Sequence, residues 1–197
     1  MLNPDTLKSR QKKLAKILQD MDLDALVLNA SPSLVYLTGM HFHLSERPVV
    51  AFFPLAQAPI IILPELENAK TQAAGFELQT FTYGEDPAQW PQVFSMAAQA
   101  TGLSQSMIGL EPLSFRVMEL ELLKSALAEA KFPNAQDAVA QLRIHKDESE
   151  LEAMRQAVDI AQEAITATLP SLRPGVSERE IASELTLQLL RNGSEPE

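Results

Sequence analysis

Cysteine is absent from the 197 residues. That one absence excludes a disulfide scaffold, a thiolate zinc site and a cysteine nucleophile. Histidine is scarce, with only His41, His43 and His145. The seven glycines stand singly, so neither G-x-G-x-x-G nor G-x-x-x-x-G-K-[ST] occurs. H-E-x-x-H and G-x-S-x-G are missing too, which removes the common zinc-protease and serine-hydrolase signatures. Basic residues are outnumbered 16 to 26, for a net charge of −10. A chain this acidic is poorly suited to nucleic acid or an anionic membrane surface. The longest apolar tract, Val49 to Leu63, is interrupted by Pro54, Gln57 and Pro59. It falls short of the ~20 residues that span a bilayer. The opening segment, with KSRQKKLAK from Lys8 to Lys16, is too charged for an export signal. The expectation is a cytoplasmic protein.

What is present is ordinary globular composition, 46% apolar and 21% charged. Pro4 and Asp5 open a helix to about Met21, with Leu7, Leu14, Ile17, Leu18 and Met21 as its apolar stripe. Lys8, Arg10, Lys12, Lys13 and Lys16 fill the other faces and read as solvated. Ala25 to Leu28 reads as a buried strand, followed by the Asn29-Ala30-Ser31-Pro32 turn and a short helix ending at Thr38-Gly39. Met40 to Glu46 is a polar and aromatic loop. Val49 to Phe53 and Pro59 to Leu63 are paired strands around a short turn. A helix over Leu66 to Ala74, a strand over Phe76 to Tyr83 and a helix from Asp86-Pro87 to about Ala100 follow. Met107 to Leu110 is a short strand and Ser114 to Ser125 a helix. Ala128 to Phe132 is expected as a further strand and Asp137 to Leu142 as a short helix. This alternation indicates an α/β domain over residues 1–142, and the Val49–Leu63 hairpin makes its sheet mixed.

After Arg143 the character changes. Lys146 to Thr168 reads as one helix with Leu151, Met154, Val158, Ala161, Ile165 and Leu169 at three- and four-residue steps. Ser177 and Glu180 form a capping-box pattern at the start of a second helix carrying Ile181, Leu185 and Leu189. The apolar stripes of both helices are expected to be covered. No strand follows, so residues 143–197 read as the start of a second domain.

Candidate chemistry is thin. His41 and His43, two apart, could share one face of a strand as a metal site does. The plainer reading is a surface loop with two ordinary histidines, since no carboxylate pair completes a site. The acidic pairs Glu65/Glu67 and Glu119/Glu121 read as solvated helix faces. Asp147-Glu148-Ser149-Glu150 suits the positive end of a helix dipole.

Two patterns go further. One is Leu34-Val35-Tyr36-Leu37-Thr38-Gly39 after a strand and turn. The other runs from Leu142-Arg143-Ile144-His145-Lys146-Asp147 through Glu150-Leu151-Glu152 to Arg155-Gln156-Ala157. With the Arg173-Pro174-Gly175-Val176-Ser177-Glu178 turn, they resemble the N-terminal part of the Xaa-Pro peptidases, prolidase and aminopeptidase P, which share their architecture with creatinase. The resemblance implies a creatinase/prolidase N-terminal domain, a mixed sheet flanked by helices. It implies that residues 143–197 are the first two helices of an incomplete pita-bread catalytic domain. It further implies a parent hydrolase of Xaa-Pro peptides that uses two divalent metal ions, manganese, cobalt or zinc. In such enzymes the metals activate a water for attack on the peptide bond. The five ligands of those metals fall beyond Glu197, so neither catalytic residues nor metal ligands are assigned here, and the segment alone is expected to be inactive. The implied partners are a second copy of the chain, as a homodimer, and short proline-containing peptides. The loop with His41, His43 and Arg47 matches the region that reaches the partner's cleft, and Tyr83 with its Gly84-Glu85-Asp86-Pro87 turn is a second candidate. A creatinase-like half that hydrolyses a different C–N bond without metal, or a non-catalytic binding module, are the alternatives.

Overall fold

The computed structural model describes residues 3–195. The chain divides into two compact units, Met1–Ile144 and His145–Glu197. The first holds a five-stranded sheet made of β1 (Ala25–Asn29), β2 (Val50–Pro54), β3 (Ile60–Pro64), β4 (Gln79–Tyr83) and β5 (Ile108–Leu110). The strand order is β4-β3-β2-β1-β5. β1 runs antiparallel to β2 and parallel to β5, β2 antiparallel to β3, and β3 parallel to β4. The sheet is therefore mixed.

Both faces are covered, which is why β1 and β3 are buried at every position and read as apolar runs, broken in β1 only by the buried Asn29 at its end. Leu26, Leu28, Ala51, Phe53, Ile61 and Leu63 point to one layer. That layer is built from α1 (Pro4–Asp20), α2 (Pro32–Thr38) and α6 (Gln136–Ile144). Val27, Val50, Phe52, Ile60 and Ile62 point to the other, built from α4 (Trp90–Thr101) and α5 (Val117–Ala126). Each fully buried aliphatic or aromatic side chain contributes about 1.5–3 kcal/mol, so the alternating faces of the strands supply most of the cohesion.

Caps fix where the helices begin. Asn3 accepts from the Asp5 amide at 3.0 Å, and Ser31 Oγ accepts from the Leu34 amide at 3.3 Å. Gly39 closes α2 in the left-handed region, φ 68°, and its amide donates to the Val35 carbonyl at 2.7 Å. That turn throws the chain into the loop that precedes β2.

Several expectations are corrected. The helix expected over Leu66–Ala74 is a 3₁₀ turn, Glu65–Glu67, followed by the short α3, Asn68–Gln72. The helix expected from Pro87 begins as a 3₁₀ turn, Pro87–Gln89, and becomes regular only at Trp90. Ala128–Phe132 is not a strand. Isolated bridges Met107–Lys131 and Leu110–Asn134 cover the edge of β5 instead. Pro133, between those bridges, has no N–H to continue a ladder. Arg10 does not join the solvated face of α1. It is 6% exposed, its guanidinium lies 4.0 Å over the Tyr36 ring, and Nη1 donates to the Tyr36 carbonyl at 3.1 Å.

The second unit is a pair of helices, α7 (Glu148–Thr168) and α8 (Glu178–Arg191), packed on one another. Asp147 and Ser177 each accept from the amide three residues on, and Glu150 and Glu180 return the bond. Ala164 and Thr168 are buried, and Ile181, Leu185 and Leu189 are half-buried. Leu151, Met154, Val158, Ile165 and Leu169 are not covered by the contact between the two helices. Two helices offer each other only one seam, which a wide apolar face exceeds. Among the described residues no helix is long and apolar enough to cross a membrane.

Candidate functional site

The candidate site gathers at the carboxyl ends of β1 and β5, which run parallel while β1's other neighbour is antiparallel. Crevices at such switch points are where open α/β sheets commonly bind ligands. Three segments meet there: the turn after β1, the loop between α2 and β2, and the turn after β5.

His41 lies in the loop and is exposed. It lines a cleft of about 280 Å³ with Leu7, Met40, Lys70 and Ala74. It also lines a second, of about 360 Å³, with Ser31, Val35, Phe42 and Leu44. His43 is exposed and lines neither. Arg47 pairs with Glu85 at 2.5 Å, both side chains at the surface. Tyr83 is buried, and its hydroxyl donates to the Pro48 carbonyl at 2.8 Å. Burial pushes its phenol well above the ordinary value, against the lowering pull of Arg47 and then Arg116. The structure thus brings Arg47 and Tyr83 to the same end of the loop and leaves His41 at the other.

The loop is tied to its surroundings through backbone carbonyls. Lys70 Nζ donates to the His41 carbonyl at 2.9 Å and lies 5.2 Å from the Phe42 ring centroid. Arg116 Nη1 donates to the Ser45 carbonyl. Arg116 is held in turn by Glu119, whose side chain has no exposure, through Nε at 2.9 Å. Glu119 therefore does not belong to a solvated face as its sequence context indicates. Glu121, its neighbour in that pair, is exposed.

A second buried carboxylate, Glu111, accepts from Ser33 at 2.7 Å, Ser114 at 2.9 Å and Ser31 at 3.2 Å. Sequence reading missed Glu111, Arg116 and Glu119. A glutamate three residues into a helix looks like an ordinary cap, and the partners that bury these groups lie 71 to 90 residues away. No three His, Asp or Glu side chains converge as a metal site among the described residues.

The pattern of the Creatinase/Prolidase N-terminal domain matches residues 10–145. The chain belongs to the creatinase/prolidase N-terminal domain family. This creatinase/prolidase domain is 24% identical over 185 residues to "Putative dipeptidase YkvY" of Bacillus subtilis (strain 168), covering 94% of this chain and 51% of that protein. It is 27% identical over 180 residues to "Xaa-Pro dipeptidase" of Lactobacillus delbrueckii subsp. lactis, covering 90% and 48%. The crystal structure of prolidase from Thermococcus sibiricus superposes with a TM-score of 0.84 at 18% identity, over 98% of this chain and 51% of that one. That likeness establishes the fold. The chain spans about half the length of the relatives it matches. In this creatinase/prolidase domain, the loop from Met40 to Arg47 follows the Tyr36-Leu37-Thr38-Gly39 segment directly.

Proposed function

We propose that this chain is the oligomerising and substrate-access part of a metal-dependent Xaa-Pro dipeptidase or aminopeptidase. In this reading residues 1–142 form the access domain and residues 143–197 open a pita-bread catalytic domain. The enzyme works in the cytoplasm as a homodimer. The observation that carries the reading is membership of the creatinase/prolidase family over residues 10–145, together with dipeptidase relatives twice as long. In the whole enzyme two divalent ions, manganese, cobalt or zinc, supply an activated water. The described residues do not fit those ions, since no three of their carboxylates and imidazoles converge, so no step through metal is assigned to them.

The loop's side chains suit the handling of a short peptide. His41 and His43 are exposed imidazoles, each with ring nitrogens that can donate or accept a hydrogen bond. The Arg47 guanidinium can take a carboxylate in bidentate fashion. Its present partner is Glu85, in a surface pair of the kind worth about 0–1 kcal/mol, so exchange for a peptide carboxylate costs little. Tyr83 fixes the loop's far end through Pro48.

The test is an assay of the full-length protein on a dipeptide ending in proline and on its alanine counterpart, with added manganese, cobalt or zinc, and on creatine. Metal-dependent turnover that requires proline is expected. Turnover undiminished by a chelator, hydrolysis of creatine, or no hydrolysis at all overturns the reading.

A further inference from the structure

We propose that Arg116 is the positioning residue of the loop from Met40 to Pro48, held for that task by the buried carboxylate of Glu119. Its consequence for substrate rests on the access-loop reading given above; its consequence for the loop's order does not.

Three side chains from outside the loop hold its backbone carbonyls. Lys70 holds its first part at the His41 carbonyl, and Tyr83 holds its end at the Pro48 carbonyl. Arg116 reaches the middle, at the Ser45 carbonyl, two residues after His43 and two before Arg47. Ser45 Oγ in turn accepts from the Arg47 amide at 3.2 Å. Moving Ser45 therefore moves both neighbours that the reading assigns to substrate.

Glu119 is more than a helix cap. Its Oε2 accepts from the Arg116 amide at 2.9 Å, which a solvated glutamate at that position would also do. Here the carboxylate is fully buried, at a desolvation cost that a cap alone does not require. Its Oε1 accepts from Arg116 Nε at 2.9 Å and Nη2 at 2.5 Å, which leaves Nη1 aimed at Ser45. The planar guanidinium can bridge a carboxylate and a carbonyl at once, whereas an ammonium is a single point of charge.

The carboxylate is itself part of a continuous frame. Asn29 Nδ2 donates to the Ser114 carbonyl at 2.7 Å and to Glu119 Oε2 at 3.4 Å. Ser114 Oγ donates to Glu111, which also takes Ser31 and Ser33. Arg143 Nη1 donates to Ser33 Oγ at 3.2 Å. The ends of β1 and β5 and the start of α5 are thereby locked together behind the arginine. A clamp on a loop works only from such a rigid base.

The experiment compares the full-length protein with Arg116→Ala, Arg116→Lys and, as a control for general loss of stability, Leu123→Ala in the same helix. Amide hydrogen exchange is followed over residues 41–47 and over β1 to β3, with KM and kcat on an Xaa-Pro dipeptide. Arg116→Ala also strands the buried Glu119 carboxylate, so it is expected to speed exchange in the loop about tenfold or more beyond any change seen in the strands. KM is expected to rise by about fivefold with kcat changed less than about twofold. Arg116→Lys should fall between the two, and it carries the same comparison if the alanine variant does not fold. Loop exchange unchanged from the parent overturns the proposal. So does the same loop exchange and KM change from Leu123→Ala at equal loss of melting temperature. Faster loop exchange with unchanged kinetics upholds the clamp and discards the loop as a substrate element.

Discussion

Glu119 Oε1 accepts from Arg116 Nε at 2.9 Å, and the carboxylate that receives it has no exposure to solvent while the arginine side chain keeps 29%. A buried charge survives only with its partner in place, because removing one member strands the other in a poorly solvating interior.

Glu119→Ala removes the buried charge itself and leaves the Arg116 amide, Asn29 Nδ2 and the part-exposed guanidinium short of an acceptor, so it is expected to cost about 1–3 kcal/mol. Glu121→Ala, two residues on and exposed, should stay within about 0.5 kcal/mol. Urea unfolding of the two variants side by side checks this, and equal midpoints would show that the pair contributes no more than a surface contact.

Tyr83 makes stability depend on alkaline pH. Its folded value is raised above the ordinary 10.0 by burial. A raised acid contributes stability that is fully present below pH 10 and is lost as pH rises beyond it. Tyr83→Phe should remove that part of the alkaline loss. Near neutral pH it should cost about 0.5–1.5 kcal/mol for the hydrogen bond to Pro48. Stability curves of parent and variant that run parallel above pH 10 would refute the assignment.

Gly109 sits where a side chain has no room. A Cβ there would lie 2.6 Å from the Ala135 Cβ and 3.1 Å from Leu23 Cδ1. Gly109→Ala is expected to destabilise by about 1–3 kcal/mol through overpacking between β5 and the turn before α6. Thermal melting decides it, and the loss should be partly recovered in Gly109→Ala with Ala135→Gly.

Alanine at His41, His43 or Arg47 in the full-length enzyme should change KM or its pH profile with little shift in melting temperature. None of the three side chains is buried, so stability has little at stake. Unchanged kinetics in all three variants would remove the loop from substrate handling.

Limited proteolysis should cut first between α6 and α7, where residues 145–147 are all exposed. A resistant fragment ending near Ile144 is the expected product, and early cuts inside the sheet region would contradict a boundary there.

Much of the fold is legible locally. Asn3, Ser31, Asp147 and Ser177 mark helix starts because a cap reaches only two or three residues. Ala25–Leu28 of β1 and Ile60–Leu63 of β3 show as apolar runs because a strand covered on both faces keeps few polar positions. The family resemblance likewise rests on short segments, Leu34 to Gly39 and Leu142 to Ala157. Composition and spacing could not say which charges go inside. Arg10 and Lys13 belong to one basic stretch, yet Arg10 is buried over Tyr36 and Lys13 Nζ donates to the Leu142 carbonyl at 2.7 Å, 129 residues away. Glu119 and Glu121 look alike in sequence, and only the fold brings Asn29 to the first of them across 90 residues. The physical reason is the same in each case. A cap is satisfied by its own neighbours in the chain and an apolar run shows its need for burial in its own composition, whereas a buried charge depends on partners that the chain delivers only once it is folded.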